Sequence, residues 1–170
     1  MTTVIACRPL LTMVCDSRVS HGEGRFKTSK KIQKSGKFLA GVSGDYTPAL
    51  AYLKTFHTAA RSCGASKPPT LAPYDGEFEL MVMSEHGLWL YGEDGTPVEV
   101  EDADIYALGS GGDYAMGCLA TQERCMEAYD LHMAVEIACE YDSGSSLPVV
   151  ELTLKSSRAG SRGHDPLEAA

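Results

Sequence analysis

Two apolar segments open the chain with almost nothing between them. Residues 3–8 (Thr-Val-Ile-Ala-Cys-Arg) and 11–16 (Leu-Thr-Met-Val-Cys-Asp) are separated by Pro9 and Leu10 alone. So short a gap suits a tight antiparallel hairpin. The same pattern returns at 77–84 and 87–92, with Glu85-His86-Gly87 at the turn. A chain dominated by hairpins builds mainly antiparallel sheets.

Between these pairs lie a polar, Gly-rich stretch at 20–24 and a lysine-rich segment carrying Lys27, Lys30, Lys31, Lys34 and Lys37. Residues 37–44 then read as a strand ending in a Gly turn. Thr47-Pro48 opens a helix, with Thr at the cap and Pro in the first turn. Its apolar residues Ala49, Leu50, Leu53, Phe56 and Ala60 recur at helical spacing. Residues 63–76 hold three of the eight prolines and form a loop. The acidic run 93–104 is a connection with a short strand at 98–100, and 105–108 is a further strand ending at Gly109-Ser110-Gly111-Gly112. One helix begins near Asp113. A second is expected from Glu123 to Glu140, with Met126, Tyr129, Met133 and Ile137 along one side. A last strand at 148–155 precedes a polar tail, 156–170, expected to be mobile. The order is strands, helix, strands, helices, strand, which fits an α+β fold of two sheets with helices outside, in one domain spanning 2–155.

The chain has 170 residues, a net charge of −8 and 44% hydrophobic content. That supports one domain with a full core. The acidic balance argues against nucleic-acid binding, which needs clustered Lys and Arg. No apolar run approaches the roughly 20 residues of a membrane-spanning helix. Met1-Thr2-Thr3-Val4-Ile5-Ala6 lacks the pattern of a secretion signal. The six cysteines form no C-x-x-C and have no His at ligand spacing, so they are read as free thiols in a reducing cytoplasm, with neither metal nor cofactor expected. The chain has no asparagine, so N-glycosylation is excluded.

Few motifs carry chemistry. Gly109-Ser110-Gly111-Gly112 lacks the spacing of a dinucleotide loop and no Walker lysine follows; nor is it G-x-S-x-G. There is no H-E-x-x-H, and nothing pairs a serine with a histidine. The remaining candidate is the terminus. Removal of Met1 would expose Thr2, whose own α-amino group, with a reference pKa of about 7.7–8.0, can act as base toward its hydroxyl. A nearby cation would lower the hydroxyl pKa, and a carboxylate would hold that cation. Asp16 ends the partner strand of the first hairpin, and Lys30 and Lys31 are the available cations.

At these residues the sequence resembles the proteasome β subunits and their bacterial relatives, the threonine proteases among the N-terminal-nucleophile hydrolases. Thr2-Thr3-Val4-Ile5-Ala6 is similar to the mature start of that family, and Val14-Cys15-Asp16-Ser17-Arg18 to its Asp-Ser-Arg strand end. Thr28-Ser29-Lys30-Lys31-Ile32 resembles its double-lysine motif. Ala40-Gly41-Val42-Ser43-Gly44-Asp45 resembles its Gly turn, and Leu108 to Ala115 its Gly-Ser-Gly segment. These five motifs stand in order between residues 2 and 115, and the resemblance runs through about residues 2 to 155.

The resemblance implies a four-layer αββα sandwich. It implies Thr2 as nucleophile, Lys31 and Asp16 as the tuning pair, the Gly44 amide as oxyanion donor, and Ser110, Asp142 and Ser145 around the amine. Asp142 and Ser145 keep an Asp-x-x-Ser spacing, with Ser143 as a rival register. Val19, Ser29, Val42 and Ala49 would line the substrate pocket, favouring cleavage after apolar residues. With no extension before Thr2, the chain is expected nearer the bacterial homologues than the processed eukaryotic subunits. Those homologues include the HslU-partner peptidase, Anbu and the β-proteobacterial proteasome homologue. The expected assembly is stacked homo-oligomeric rings of roughly 12 to 14 subunits or more, taking peptides or unfolded protein, with a possible ATPase unfoldase and no nucleic acid or membrane partner. Two other functions remain open: an amidase of the same chemistry acting on a small molecule, and a catalytically weak ring scaffold or binding shell. Retention of Met1 would favour the scaffold.

Overall fold

The computed structural model describes residues 2–21, 24–64, 66–125 and 128–155; the expected tail at 156–170 lies outside them. The first hairpin is β1 (Val4–Cys7) and β2 (Thr12–Cys15), paired in antiparallel register with Val4 opposite Cys15. Every residue of both strands is buried, so neither face of this hairpin meets solvent. The Lys- and Gly-rich region forms three further strands: β3 (Arg18–His21), β4 (Gly24–Lys27) and β5 (Ile32–Ser35). β6 (Phe38–Gly44) follows across a turn at Gly36, then helix α1 (Tyr46–Ala60). The second predicted hairpin is β7 (Phe78–Ser84) and β8 (Gly87–Tyr91), followed by β9 (Pro97–Glu99) and β10 (Ile105–Leu108). Helices α2 (Gly112–Cys125) and α3 (Leu131–Tyr141) precede the last strand, β11 (Val150–Thr153).

The strands form a four-stranded sheet ordered β10-β1-β2-β11, a five-stranded sheet ordered β5-β6-β7-β8-β9, and the small β3–β4 ribbon. All pairings are antiparallel. Because side chains alternate along a strand, each large sheet feeds two cores. Phe38, Ala40 and Val42 of β6 and Leu80 and Val82 of β7 pack with Leu53 and Phe56 of α1. Leu39, Met81 and Met83 turn the other way, onto Val4, Ala6, Met13 and Cys15 of the first sheet. Ile5, Cys7 and Val14 then meet Ala115 and Leu119 of α2 and Leu131, Val135 and Ala138 of α3. Three cores in sequence make four layers: helix, sheet, sheet, helix pair. The sheets approach closely at Gly41, where a Cβ would lie 2.7 Å from Val4 Cγ1 and 2.8 Å from Met13 Sδ.

Several expectations need correction. The helix expected over 123–140 is two pieces: residues 123–125 end α2, and α3 starts only at Leu131. Its cap is Asp130, whose side chain accepts from the Met133 N–H at 2.9 Å. Gln122 locks the turn, donating to the Asp130 carbonyl and accepting from its N–H. The buried face of α3 carries Leu131, Ala134, Val135 and Ala138. Of the expected stripe, Met133 is exposed, Ile137 is half-buried, Tyr129 precedes the helix and packs on its core, and Met126 lies outside the described residues. α1 begins at Tyr46 behind Asp45 rather than at Thr47, and Tyr52 joins its buried face, with Leu50 partly buried against the same core.

Candidate active site

Antiparallel pairing gathers the candidate residues at one end of the sandwich. Thr2 precedes β1 and Asp16 follows β2, so the hairpin returns Asp16 beside the start of the chain; its N–H bonds the Thr3 carbonyl at 3.0 Å. Lys31 immediately precedes β5, and Gly44 ends the neighbouring β6. Residues 109–111 link β10, the other neighbour of β1, to α2, and 142–146 follow α3.

Thr2, Asp16 and Lys31 are 3%, 0% and 3% exposed. The Thr2 hydroxyl donates to Asp16 Oδ1 at 2.7 Å, and Lys31 Nζ donates to the same oxygen at 2.7 Å. Lys31 Nζ also contacts Thr2 Oγ1 directly. Three backbone amides complete the carboxylate, with Thr3 N–H donating to Oδ1 at 2.9 Å, and Arg18 N–H at 2.8 Å and Ser146 N–H at 3.1 Å donating to Oδ2. A buried ammonium and carboxylate are tolerated here because each is paired and hydrogen-bonded. Of the two candidate cations, only Lys31 reaches the site; Lys30 is exposed.

A second acidic centre lies beside the first. Asp142 Oδ2 accepts from Ser145 Oγ at 2.7 Å and from Ser110 Oγ at 2.9 Å, and Oδ1 accepts from Gly144 N–H at 3.1 Å. Burial on its own would raise this carboxyl's pKa; the hydrogen bonds from Ser145, Gly144 and Ser110 outweigh it and hold Asp142 below the usual aspartate range. Ser143 is exposed and its carbonyl accepts from the Arg18 guanidinium, so of the two serines it is Ser145 whose hydroxyl bonds Asp142. Next to Asp16, burial pushes the Cys15 thiol up to about 12, only partly offset by Lys31, which keeps it neutral and unreactive.

A cleft of about 330 Å³, including the solvent space at its mouth, borders this buried centre, lined by Thr2, Val19, Lys31, Val42, Gly44 and Ala49 with Arg18, Ser43 and Tyr46. Val19, Val42 and Ala49, which the resemblance implies as pocket residues, line this cleft. Ser29 does not: it is exposed, in the loop before Lys31, and is absent from the lining. Arg18 and Tyr46 were missed. Arg18 sits in the quoted Asp-Ser-Arg motif, so its position was legible; nothing in the sequence singles out Tyr46. Gly44 has φ +97°, and a Cβ there would lie 2.3 Å from the Glu77 carbonyl oxygen, so the turn at the cleft needs glycine. Among the described residues no group of His, Cys, Asp and Glu is arranged to hold a metal ion. None of their helices is long and apolar enough to cross a membrane.

No family model matches the chain. It is 28% identical over 116 residues to the ATP-dependent protease subunit HslV of Campylobacter hominis, a match covering 59% of this chain and 64% of that protein. The matched region therefore spans less than two thirds of that relative's length. Among solved structures, it is similar to Thiobacillus denitrificans BPH in complex with epoxomicin, with a TM-score of 0.66 and 20% identity over 89% of this chain and 97% of that one. Eukaryotic HslV from Trypanosoma brucei is similar at a TM-score of 0.64 and 21% identity, over 89% and 98% of the two chains.

Proposed function

We propose that this chain, whose fold is that of the proteasome-like N-terminal-nucleophile hydrolases, is the threonine-type endopeptidase subunit of a self-compartmentalising, cytoplasmic ring particle. The observation that carries this reading is the convergence of Lys31 Nζ and Asp16 Oδ1 on the Thr2 hydroxyl beside a cleft. The HslV match and the epoxomicin-bound neighbour support it.

Removal of Met1 gives Thr2 a free amine. Thr2 Oγ1 attacks the substrate's carbonyl carbon and its proton passes to that amine, directly or through one water. Lys31 favours the developing alkoxide, and Asp16 keeps Lys31 charged and in place. The Gly44 N–H receives the tetrahedral oxyanion, a contribution typically worth about 3 kcal/mol per donor. Collapse breaks the scissile C–N bond, and the ammonium returns its proton to the leaving amine. An ester on Thr2 remains, which water hydrolyses with the amine again as base. Asp142, Ser145 and Ser110 orient the amine. Val19, Val42 and Ala49 make the cleft's apolar wall, which favours apolar side chains next to the cleaved bond. An ATPase that unfolds and feeds substrates is the partner expected by likeness to HslV.

The test is hydrolysis of fluorogenic peptides by wild type and by Thr2→Ala. We expect turnover to vanish in the variant while the assembled size is unchanged. Undiminished turnover removes Thr2 from the mechanism. Peptide-inactive wild type that cleaves small amides through Thr2 selects the amidase, and an assembled but inactive particle retaining Met1 selects the scaffold.

A further inference from the structure

Thr3, which has no assigned part in the proposed reaction, is fully buried and touches both acidic centres. Its N–H donates to Asp16 Oδ1 at 2.9 Å, and its carbonyl accepts the Asp16 N–H at 3.0 Å. Its hydroxyl lies 2.7 Å from Ser145 Oγ. The direction of that bond follows from its neighbours. Ser145 has one hydroxyl proton, and the ionised Asp142 can only accept, so Ser145 spends its proton on Asp142 at 2.7 Å. Thr3 therefore donates to Ser145. The neighbouring loop is shaped around this hydroxyl, since a Cβ at Gly111 would lie 1.9 Å from Thr3 Oγ1 and 3.0 Å from Ser145 Oγ.

We infer that Thr3 is a positioning residue that couples the Lys31–Asp16 pair to the Asp142–Ser145–Ser110 cluster and sets the Ser145 hydroxyl for the Thr2 amine. With one lone pair of Ser145 taken by Thr3 and its proton taken by Asp142, the remaining lone pair has a single fixed direction. Under the proposed reaction, that pair is the acceptor offered to the N–H groups of the Thr2 ammonium. Without the Thr3 donor, Ser145 stays tied to Asp142 by its proton but loses the second bond that fixes its torsion. Its lone pairs then no longer hold one direction toward the ammonium, that acceptor is less well aimed, and the amine's pKa falls. This inference rests on the reading of Thr2 as an amine-activated nucleophile.

The experiment compares pH–rate profiles of the assembled particle for wild type, Thr3→Val and Thr3→Ser on one fluorogenic peptide. Thr3→Val keeps the shape and removes the donor. We expect it to lower kcat roughly tenfold, the scale of one lost hydrogen bond, to leave KM unchanged, and to move the acid limb of the profile to lower pH. Thr3→Ser should restore both rate and limb. Gly111→Ala, which crowds the hydroxyl without removing it, is the second perturbation and should move the limb in the same direction even if Thr3→Val fails to assemble. A wild-type profile in Thr3→Val, or equal loss in Thr3→Ser, overturns the inference. Thr2→Ala separates the two levels: if it is inactive while Thr3→Val behaves as wild type, only the role of Thr3 falls. If Thr2→Ala keeps its turnover, both fall.

Discussion

Lys31 is the residue on which the sequence reading was most exposed, because two adjacent lysines competed for one role. The structure buries Lys31 on Asp16 and Thr2 and leaves Lys30 in solvent. We expect Lys31→Ala to abolish hydrolysis and Lys30→Ala to retain it. Removing one partner of a buried ion pair typically costs about 3–5 kcal/mol, so Lys31→Ala must be assayed on particles shown to be assembled. Asp142 gives a pH-dependent test. Its folded pKa lies below the ordinary aspartate value, so its stabilising effect is present above that ordinary value and is lost as pH falls through the folded one. Thermal unfolding of wild type against Asp142→Asn should therefore show the wild-type advantage shrinking on acidification below about pH 4. A constant difference contradicts the assignment. Thr2, Asp16 and Lys31 could be argued as candidates from the chemistry of a terminal nucleophile, a cation and a carboxylate, whereas Asp142 was reached only through the family resemblance. Ser29 was misplaced because a position in a loop says nothing about which way the side chain faces. The part played by Thr3 was invisible because its partner is 142 residues away.

The elements divide along the same physical line. Strands buried on both faces, β1, β2, β6 and β7, announce themselves as continuous apolar runs. β4 and β5 did not: Arg25, Phe26, Lys27 and Lys34 are exposed, and a segment dominated by lysines shows no apolar run to mark it as strand. The break between α2 and α3 was missed because its signal is a single capping aspartate inside an otherwise helical composition. Asp130→Ala removes that cap and is expected to cost about 1 kcal/mol, measured by denaturant unfolding, with little effect on kcat. A loss of activity larger than the loss of stability would show that the α2–α3 turn reaches the site, which the contacts of Asp130 with Gln122 and Met133 do not suggest.

At the scale of the molecule, three stacked cores make a sandwich whose outer faces are helical, and the site opens at one end. The five-stranded sheet follows from antiparallel pairing of sequential strands, but the four-stranded sheet flanks the first hairpin with β10 and β11 from far along the chain, an order no local pattern gives. Nor does such a pattern give the assembly, since it depends on surfaces rather than on periodicity. Under the proposed function, light scattering should give a particle mass several times that of the protomer, identical in wild type and Thr2→Ala. A monomer at working concentration that still cleaves peptides contradicts the ring.

The most direct measurement is intact and peptide-level mass spectrometry of the active particle, free and quenched during turnover of a slow ester or peptide substrate. The account predicts a chain beginning at Thr2 and, in the quenched sample, an acyl group on that residue alone. A fully active particle that keeps Met1, or an acyl group carried elsewhere, would contradict it.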